Sequence, residues 1–300
     1  MKAMILAAGK GRRVQPLTNT TPKPMLPILD VPVMELIIKK LKSDGFDEIV
    51  INTSYLSEEI EHYFKDGSQW GVSICYSFEG EVIDGVRHGN AIGSAAGMRK
   101  IQSEKAFFDD TFLVICGDAI IDADLAKAVE IHKQQGGISS MLLKEVPMGS
   151  VDKYGVVELD ASDRVVSFQE KPKVENARSN LVNTGIYIFE PETFSHIPSQ
   201  GNYDIGGDLF PQLVSGNIPL YGINLPFQWI DIGTIEDYYQ ANLMALNNEI
   251  NHIEFSRNGL AVKYHIEYSK DVPVPDYSIG KQEIQPINKT SYSKQTSCAG

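Results

Sequence analysis

The sequence predicts an α/β protein with a doubly wound, mixed and mainly parallel sheet and a small antiparallel addition. Over residues 1–136, short apolar runs alternate with longer segments whose apolar residues recur at helical spacing. That order is typical of parallel βαβ units. Residues 137–190 hold several strand-like runs with few helical patterns between them, which indicates added antiparallel strands.

The individual elements follow from these patterns in chain order. Apolar runs predict early strands in AMILAA, EIVINTS, VSICYSF and FLVICGDAII, the last preceded by a Gly-rich loop. Helical spacing predicts helices in VMELIIKKLKSDGF, SEEIEHYFKDG and DLAKAVEIHKQQGG. Later strands are predicted in ISSMLLKEV, YGVVELD, RVVSFQEKP and LVNTGIYIF, and late helices in DIGGDLFPQLV and TIEDYYQANLMALNNEI.

Charge, hydropathy and cysteine content exclude several classes of function. The 300 residues carry a formal net charge of -12 and the sequence pI is near 5.0, which argues against a nucleic-acid or membrane partner. No apolar run reaches the roughly eighteen residues of a transmembrane helix, and the apolar stretch Met4–Ala8 is too short for a signal peptide. Cys75, Cys116 and Cys298 show no paired or metal-like spacing. We therefore expect a cytoplasmic protein.

A cluster of basic residues opens this acidic chain. Five of them precede the first acidic residue: Lys2, Lys10, Arg12, Arg13 and Lys23. The loop that carries most of them leaves a predicted parallel strand, and such loops bind ligands at the carboxyl edge of the sheet. Gly9 and Gly11 would let backbone N–H groups approach phosphate oxygens. Arg13 would bind two oxygens at once and Lys23 would add a point charge, so the stretch predicts a triphosphate site.

Two other phosphate-binding motifs fit this stretch less well. A P-loop requires Gly-x4-Gly-Lys-Ser/Thr, and that spacing is absent. A dinucleotide fingerprint requires a third glycine near Val14 and a suitably placed ribose-binding acid, and neither is present. That argues against an oxidoreductase. Gly9 and Gly11 alone would more readily form a simple turn with solvated basic residues, so the prediction depends on the whole stretch.

Five blocks of the sequence resemble motifs of the sugar-nucleotidyltransferases (nucleoside-diphosphate-sugar pyrophosphorylases). The first runs from Leu6 to Arg13 and on to Pro22-Lys23-Pro24-Met25, similar to L-A-A-G-x-G-T-R-x-x-P-L-T and P-K-P-M, with Arg12 in place of the threonine. The others are Gly117-Asp118, Glu170-Lys171-Pro172, Asn183-Thr184-Gly185 and Trp229-Ile230-Asp231-Ile232-Gly233-Thr234. The resemblance implies a Rossmann-like, GT-A-like catalytic domain over residues 1–250.

The resemblance also implies roles in nucleotidyl transfer from a nucleoside triphosphate to a sugar 1-phosphate. Asp118 and Asp231 would bind Mg²⁺, and the catalytic residues would be Arg13, Lys23 and Asp118. The nucleotide would contact Leu6, Ala8, Gly9, Gly11, Arg13 and Gly93. The sugar phosphate would contact Tyr154, Gly155, Glu170, Lys171, Asn183 and Gly185. A homo-oligomer is left open.

Overall likeness within the family favours GTP and mannose 1-phosphate as the substrates. Glu79 or Glu81 would then accept the N1–H and N2–H₂ groups of guanine. Asn90 and Ala91 depart from the family's acid and proline in the loop that meets the base. Thymidylyl or uridylyl transfer to glucose 1-phosphate is the alternative, and the P-K-P-M block disfavours uridylyl transfer because those enzymes usually carry P-K-E-M.

A non-catalytic regulatory paralogue that binds nucleotide-sugar is a second alternative. Such paralogues typically lack the arginine of the first loop or an acidic metal ligand, and this chain has Arg13, Lys23, Asp118 and Asp231.

Residues 251–300 are predicted to form a C-terminal extension. The apolar pattern weakens from about His252, and residues 281–300 are mostly polar, which predicts a mobile tail. Residues 259–280, GLAVKYHIEYSKDVPVPDYSIG, resemble the approach to the left-handed β-helix of many relatives. No apolar hexad repeats after Gly280, so we expect that β-helix to be absent or cut short.

Overall fold

The computed structural model describes residues 1–253. Its α-helices in this range are α1 (Val33–Ser43), α2 (Ser57–Phe64), α3 (Ser94–Lys105), α4 (Leu125–Gln135), α5 (Phe210–Ser215) and α6 (Ile235–Leu246). The strands are β1 (Lys2–Leu6), β2 (Pro27–Ile28), β3 (Val31–Pro32), β4 (Glu48–Thr53), β5 (Ser73–Phe78), β6 (Gly80–Ile83), β7 (Val86–Gly89), β8 (Phe112–Cys116), β9 (Ala119–Ile121), β10 (Ser139–Glu145), β11 (Gly155–Leu159), β12 (Val165–Glu170), β13 (Leu181–Phe189), β14 (Leu220–Ile223) and β15 (Trp229–Asp231).

Nine of these strands form one mixed sheet. Its main path runs β12-β11-β13-β8-β1-β4-β5, and β10 joins β13 with β14 beside it. Strands β8, β1, β4 and β5 are parallel, whereas β13 is antiparallel to β8, and β11 and β12 continue the antiparallel part. The prediction of a mixed sheet with an early parallel part and added antiparallel strands is confirmed.

Apolar side chains cover both faces of this sheet, as the doubly wound prediction requires. Along β1, Ala3 and Ile5 belong to one buried cluster with residues of α1, α2, α4 and α6. Met4, between them, belongs to a second cluster with residues of α3 and α5. Because successive strand residues point to opposite faces, helices cover the sheet on both sides.

Three elements differ from the sequence prediction. The FLVICGDAII run, predicted as one strand, divides into β8 and β9 at Gly117, where an added Cβ would lie 3.0 Å from the Leu6 carbonyl oxygen. The Gly-rich loop holds the hairpin β6–β7 and helix α3. The predicted helix in DIGGDLFPQLV begins as a π-helical turn, Ile205–Leu209, before α5.

Nearly all of the predicted C-terminal extension lies outside the described residues, as does Cys298. The other two cysteines, Cys75 and Cys116, are both free thiols. Within residues 1–253, no helix combines the length and the apolar character needed to cross a bilayer.

The Asp44 carboxylate connects helices α1 and α4, which cover the same face of the sheet. This contact offers a test of the fold. Its carboxylate accepts the Leu125 backbone N–H (2.8 Å) at the start of α4 and pairs with Lys40 (2.7 Å) at the end of α1. We expect Asp44→Ala to lower the free energy of unfolding by about 1–2 kcal/mol, because a helix-terminal N–H loses its acceptor. Urea unfolding measures this loss.

Glu104→Ala is the matched control because it also breaks an i,i+4 pair, with Lys100 at 2.8 Å, but no backbone contact. We expect it to cost at most about 0.5 kcal/mol. Equal losses in the two variants would contradict the role given to Asp44.

Candidate active site

The loop after β1 forms one wall of a cavity at the carboxyl edge of the parallel strands. Three 3-10 turns shape it, at Arg12–Val14, Leu17–Asn19 and Lys23–Met25. The cavity has a volume of about 290 Å³ and is lined by Leu6, Ala7, Gly9, Gly11, Arg12, Arg13, Val14, Lys23, Pro24, Asp118 and Gly233. Most residues predicted to bind the nucleotide therefore lie together.

The two glycines of this loop serve different purposes. Gly11 has a φ of 60°, and an added Cβ would lie 3.0 Å from Cβ of Lys23 and from Cγ2 of Thr18. Its carbonyl also accepts the Thr18 hydroxyl proton (2.8 Å), so Gly11 is required by conformation and packing. Gly9 has no atom within 4 Å of an added Cβ. Open space at Gly9 allows a ligand to approach the backbone closely.

Lys23 is the cation at the centre of the site. Only 8% of the residue is exposed, and its Nζ lies 2.5 Å from Oδ2 of Asp118. A buried ammonium group needs a charged partner because it has lost its hydration. Asp118, at the break between β8 and β9, supplies that partner.

Strand pairing brings the second predicted metal ligand to the same place. Strands β9 and β15 are antiparallel, with Asp231 opposite Ala119, the residue after Asp118. The Ile232 backbone N–H also donates to the Asp118 carbonyl oxygen at 3.3 Å. Two aspartates far apart in sequence thus occupy adjacent positions.

The charges around Asp231 show that these groups share one electrostatic environment. Burial, together with the nearby Asp118 carboxylate, raises the pKa of Asp231 to about 6, while Lys23 and Arg13 act in the opposite direction. Asp237 adds to the increase. Burial and the negative charges of Asp231 and Asp237 likewise raise the pKa of Tyr154.

The donor set fits a magnesium ion. Among residues 1–253, no group of three or more His, Cys, Asp or Glu side chains forms a complete metal cage. Mg²⁺ needs only one or two carboxylates when substrate phosphates and water supply the other oxygens. Asp118 and Asp231 offer such a pair, and their mutual repulsion favours a divalent cation between them.

The residues predicted for the sugar phosphate form a second group on the antiparallel strands. Gly155 on β11 lies opposite Glu170 on β12, and an added Cβ at Gly155 would lie 2.6 Å from Cζ of Phe168. Lys171 donates a hydrogen bond to the Glu170 carboxylate. This acid, base and glycine are adjacent, as the resemblance implies.

Asn183 and Gly185 contribute local structure on β13. Oδ1 of Asn183 accepts the Gly185 N–H (2.9 Å), and its Nδ2 donates to the Tyr187 hydroxyl (2.9 Å). Gly185 has a φ of 77°, and an added Cβ would lie 2.7 Å from Sγ of Cys116. In this structure both residues have intramolecular partners.

Tyr154 belongs with the aspartates as much as with the sugar-phosphate residues. Its ring lies 5.0 Å from that of Trp229, centroid to centroid, and burial and the negative charge of Asp231 raise the pKa of its hydroxyl. The sequence analysis placed Tyr154 only with the sugar phosphate. The signal it missed is the contact between Tyr154 and the β15 strand, which no local pattern reveals.

Gly93 and Ala8 do not line the cavity of the first loop. Gly93 precedes α3 with a φ of 94°, and an added Cβ would lie 2.5 Å from the Tyr203 carbonyl oxygen. Close packing against Tyr203 therefore explains this glycine without a ligand. Ala8 is buried.

The two glutamates predicted to recognise a base lie in different environments. Glu79 is 1% exposed, and its carboxylate accepts from Nδ2 of Asn52 (2.8 Å) and from the Ile92 N–H (3.0 Å). Its oxygens are therefore occupied within the protein, and the prediction that Glu79 binds guanine is not supported. Glu81 is exposed on β6.

Thr234 and Asp237, beside the aspartates, were given no role in the sequence analysis. Thr234 begins α6, accepts the Asp237 N–H (3.1 Å) and donates its hydroxyl proton to the Asp237 carboxylate (2.7 Å). This reciprocal cap was readable from the spacing Thr-x-x-Asp before an apolar run. It fixes the start of α6 directly after Asp231 and Gly233.

Comparison with known proteins adds the family context. A family model described as nucleotidyl transferase matches residues 2–248. The chain is 54% identical over 254 residues to a UTP–glucose-1-phosphate uridylyltransferase of Synechocystis sp., covering 85% of this chain and 66% of that relative. It is 31% identical over 241 residues to a mannose-1-phosphate guanylyltransferase of Mycobacterium tuberculosis, covering 80% and 63%. The chain thus spans a little under two thirds of the length of these curated relatives.

A solved structure has the same fold. It is that of a putative glucose-1-phosphate thymidylyltransferase from Bacillus anthracis in complex with a sucrose, with a TM-score of 0.71 and 26% identity. The match covers 86% of this chain and 98% of that one.

The raised pKa of Asp231 predicts a pH-dependent stability. An unfolded aspartate has a pKa of about 3.9, so the folded protein holds this proton more tightly, and the free energy of unfolding falls as the pH rises from about 4 to about 6. We expect Asp231→Asn to be about 3 kcal/mol more stable than the parent at pH 8 without metal, and equal to it at pH 4.

Urea unfolding at both pH values, with a chelator present, measures the difference. Asp84→Asn, at an exposed turn, is the control and should not change stability at either pH. A parent protein as stable as Asp231→Asn at pH 8 would show that Asp231 is not destabilised by its surroundings.

Proposed function

This chain belongs to the nucleotidyl transferase family, and we propose that it transfers a nucleotidyl group from a nucleoside triphosphate to a sugar 1-phosphate, releasing pyrophosphate. The observation that carries the proposal is the convergence of Arg13, Lys23 and Asp118 on one cavity, with Asp231 beside them. Cations and paired carboxylates together suit a metal-bound polyphosphate. The same convergence supports an enzyme over a non-catalytic paralogue.

The reaction requires alignment and charge neutralisation rather than a protein nucleophile. An oxygen of the sugar 1-phosphate attacks the α-phosphorus, the bond from that phosphorus to the bridging oxygen breaks, and pyrophosphate leaves with the electron pair. The attacking phosphate is already anionic, so no general base is needed. Magnesium held by Asp118 and Asp231 would supply neutralisation of the phosphate oxygens.

The basic residues divide the remaining work. Arg13 lines the cavity with the open Gly9 backbone, where its fork-shaped guanidinium would bind the triphosphate and the leaving pyrophosphate. Lys23 is held between the loop and Asp118, and it would offset the charge that develops between the two substrates. Both roles depend on donors that are in place before the substrates bind.

The acceptor would bind at the antiparallel end of the sheet. Glu170 would accept hydrogen bonds from sugar hydroxyl groups, and Lys171, paired with it, would bind the sugar phosphate. The glycine at position 155 allows the Phe168 ring to pack against the backbone opposite Glu170. Asn183 and Gly185 would shape the pocket from β13, and Tyr154 would connect it to Asp231.

We propose UTP and glucose 1-phosphate as the substrate pair. The sequence analysis favoured GTP and mannose 1-phosphate, but identity to the Synechocystis uridylyltransferase is 54% against 31% to the mycobacterial guanylyltransferase. The P-K-P-M block is therefore not a sufficient argument against uridylyl transfer. Guanylyl transfer to mannose 1-phosphate becomes the second candidate.

A substrate matrix tests this proposal. The four common ribonucleoside triphosphates and dTTP are combined with glucose 1-phosphate and mannose 1-phosphate, and pyrophosphate release is measured with magnesium present. We expect the highest kcat/KM for UTP with glucose 1-phosphate. A maximum for GTP with mannose 1-phosphate would reverse the substrate assignment, and no release with any pair would contradict the proposed reaction.

Substitution of Asp118 tests its role in that reaction. Asp118→Asn removes the charge that pairs with Lys23 and one ligand of the proposed magnesium site. We expect kcat to fall by about 100- to 1000-fold, the usual cost of losing one charge-stabilising group, with an unchanged circular dichroism spectrum.

Asp124→Asn is the matched control because Asn caps helices as well as Asp does and Asp124 caps α4 through Lys127. It should retain the parental rate. A parental rate in Asp118→Asn would show that Asp118 does not contribute to catalysis.

A further inference from the structure

A chain of buried hydrogen bonds connects two loops at the edge of the sheet. The Ala7 backbone N–H, where the first loop begins, donates to Oδ1 of Asn52 (2.9 Å). Nδ2 of Asn52 donates to Oε1 of Glu79 (2.8 Å), and Oε2 of Glu79 accepts the Ile92 N–H (3.0 Å). The chain thus runs from the proposed triphosphate loop to the segment that precedes α3.

The backbone of Glu79 strengthens the same connection. Its carbonyl oxygen accepts the Asn90 N–H (2.9 Å) and the Ser54 hydroxyl proton (2.8 Å). Both Asn52 and Glu79 are almost fully buried, so neither has water as an alternative partner. Burying a carboxylate is costly unless it is hydrogen-bonded, and these contacts offset that cost for Glu79.

The groups at the two ends of this series of hydrogen bonds fix which atoms donate and which accept along it. Both ends are backbone N–H groups, which only donate. Asn52 must therefore present its oxygen to Ala7 and its amide protons to Glu79. The residue at position 79 must accept from both sides, and a carboxylate does so.

Helix α3 makes room for this pair. At Gly97 an added Cβ would lie 2.5 Å from Oε1 of Glu79 and 3.2 Å from Nδ2 of Asn52. The helix therefore approaches the two side chains as closely as a glycine allows, and this contact restricts their movement.

We propose that Glu79 and Asn52 are positioning residues that fix the first loop and the Ile92–Gly93 segment relative to each other. This inference rests on the proposed function, in which the first loop binds the triphosphate, and it assigns the Ile92–Gly93 segment to the same nucleotide, as the resemblance of Gly93 to the family's nucleotide-binding glycine implies. With both loops ordered in advance, the nucleotide binds without the entropy cost of ordering them. The pair acts on nucleotide affinity and leaves the sugar-phosphate side, on β11 to β13, unaffected.

Glu79→Gln tests the proposal because it keeps the size and shape of the side chain but replaces one acceptor oxygen with an NH₂ donor. The new amide nitrogen at position 79 faces either Nδ2 of Asn52 or the Ile92 N–H, and flipping Asn52 only moves the conflict to the Ala7 N–H. Every arrangement leaves two donors opposed. We expect KM for the nucleoside triphosphate to rise about tenfold, with KM for the sugar 1-phosphate unchanged.

The double variant Asn52→Asp/Glu79→Gln should restore the chain. The new carboxylate at position 52 accepts from the Ala7 N–H and from the new amide at position 79, whose oxygen in turn accepts from the Ile92 N–H. The total charge is the same as in the parent. We expect KM for the nucleotide to return to within about threefold of the parent, since coupled changes compensate in such networks. Glu59→Gln, an exposed glutamate on α2, is the control.

Amide hydrogen exchange without substrate gives a readout that does not depend on turnover. The Ala7 and Ile92 amides should exchange faster in Glu79→Gln and regain protection in the double variant, while Glu59→Gln matches the parent. If no substrate pair is turned over, the proposed function fails, and exchange still decides whether the pair positions the loops.

Three results would overturn the inference. They are unchanged exchange in Glu79→Gln, a folded double variant without recovery, and equal increases in KM for both substrates with a lower melting temperature. If the double variant does not fold, Gly97→Ala replaces it. Its Cβ would displace the pair, and a parental KM for the nucleotide in that variant would equally contradict the proposal.

Discussion

The site depends on two carboxylates that the fold holds close together at one edge of the sheet. Asp118 and Asp231 occupy adjacent positions because β9 and β15 pair, and the partly buried site raises the pKa of Asp231. Lys23, itself buried, offsets part of that repulsion through its contact with Asp118. Under the proposed function, a divalent cation between the two carboxylates would offset their repulsion, and Lys23 and Arg13 would face the phosphates. The proposed function and the local instability would then have a common origin.

The fold supplies this confinement through two interruptions of regular structure. At Gly117 the chain leaves the main sheet, so that β9 can pair with β15 instead of extending β8. At Gly11 the first loop turns back through a left-handed residue and packs against Lys23. Both glycines permit close contacts that any side chain would obstruct. The parallel strands provide the rigid frame, and the site is built where that regular frame ends.

Local patterns in the sequence predicted the frame better than they predicted the contacts between distant segments. The strands of the parallel half and the grouping of Arg13 with Lys23 followed from apolar runs and loop chemistry, and the family resemblance added Asp118. The pairing of Asp231 with Ala119 could not be predicted, because nothing local relates β15 to β9. The family resemblance implied only that Asp118 and Asp231 bind the same metal. Helix α3 was missed since its first turn is rich in small residues and contains Gly97. The β6–β7 hairpin had a readable signal in its Asp84-Gly85 turn, flanked by Val82, Ile83 and Val86. Burial of the Glu79 carboxylate was unpredictable because its partners come from β4 and from the start of α3.

The charge balance of the site depends on the electrostatic coupling between Lys23 and Asp118. A double-mutant cycle measures that coupling directly. Free energies of unfolding are determined for the parent, Lys23→Met, Asp118→Asn and the double variant, at neutral pH without metal. We expect a coupling energy of about 1–3 kcal/mol, because each group loses its partner when the other is removed. Strictly additive losses would contradict it, since they would mean that the two charges are independent and that no shared electrostatic site exists.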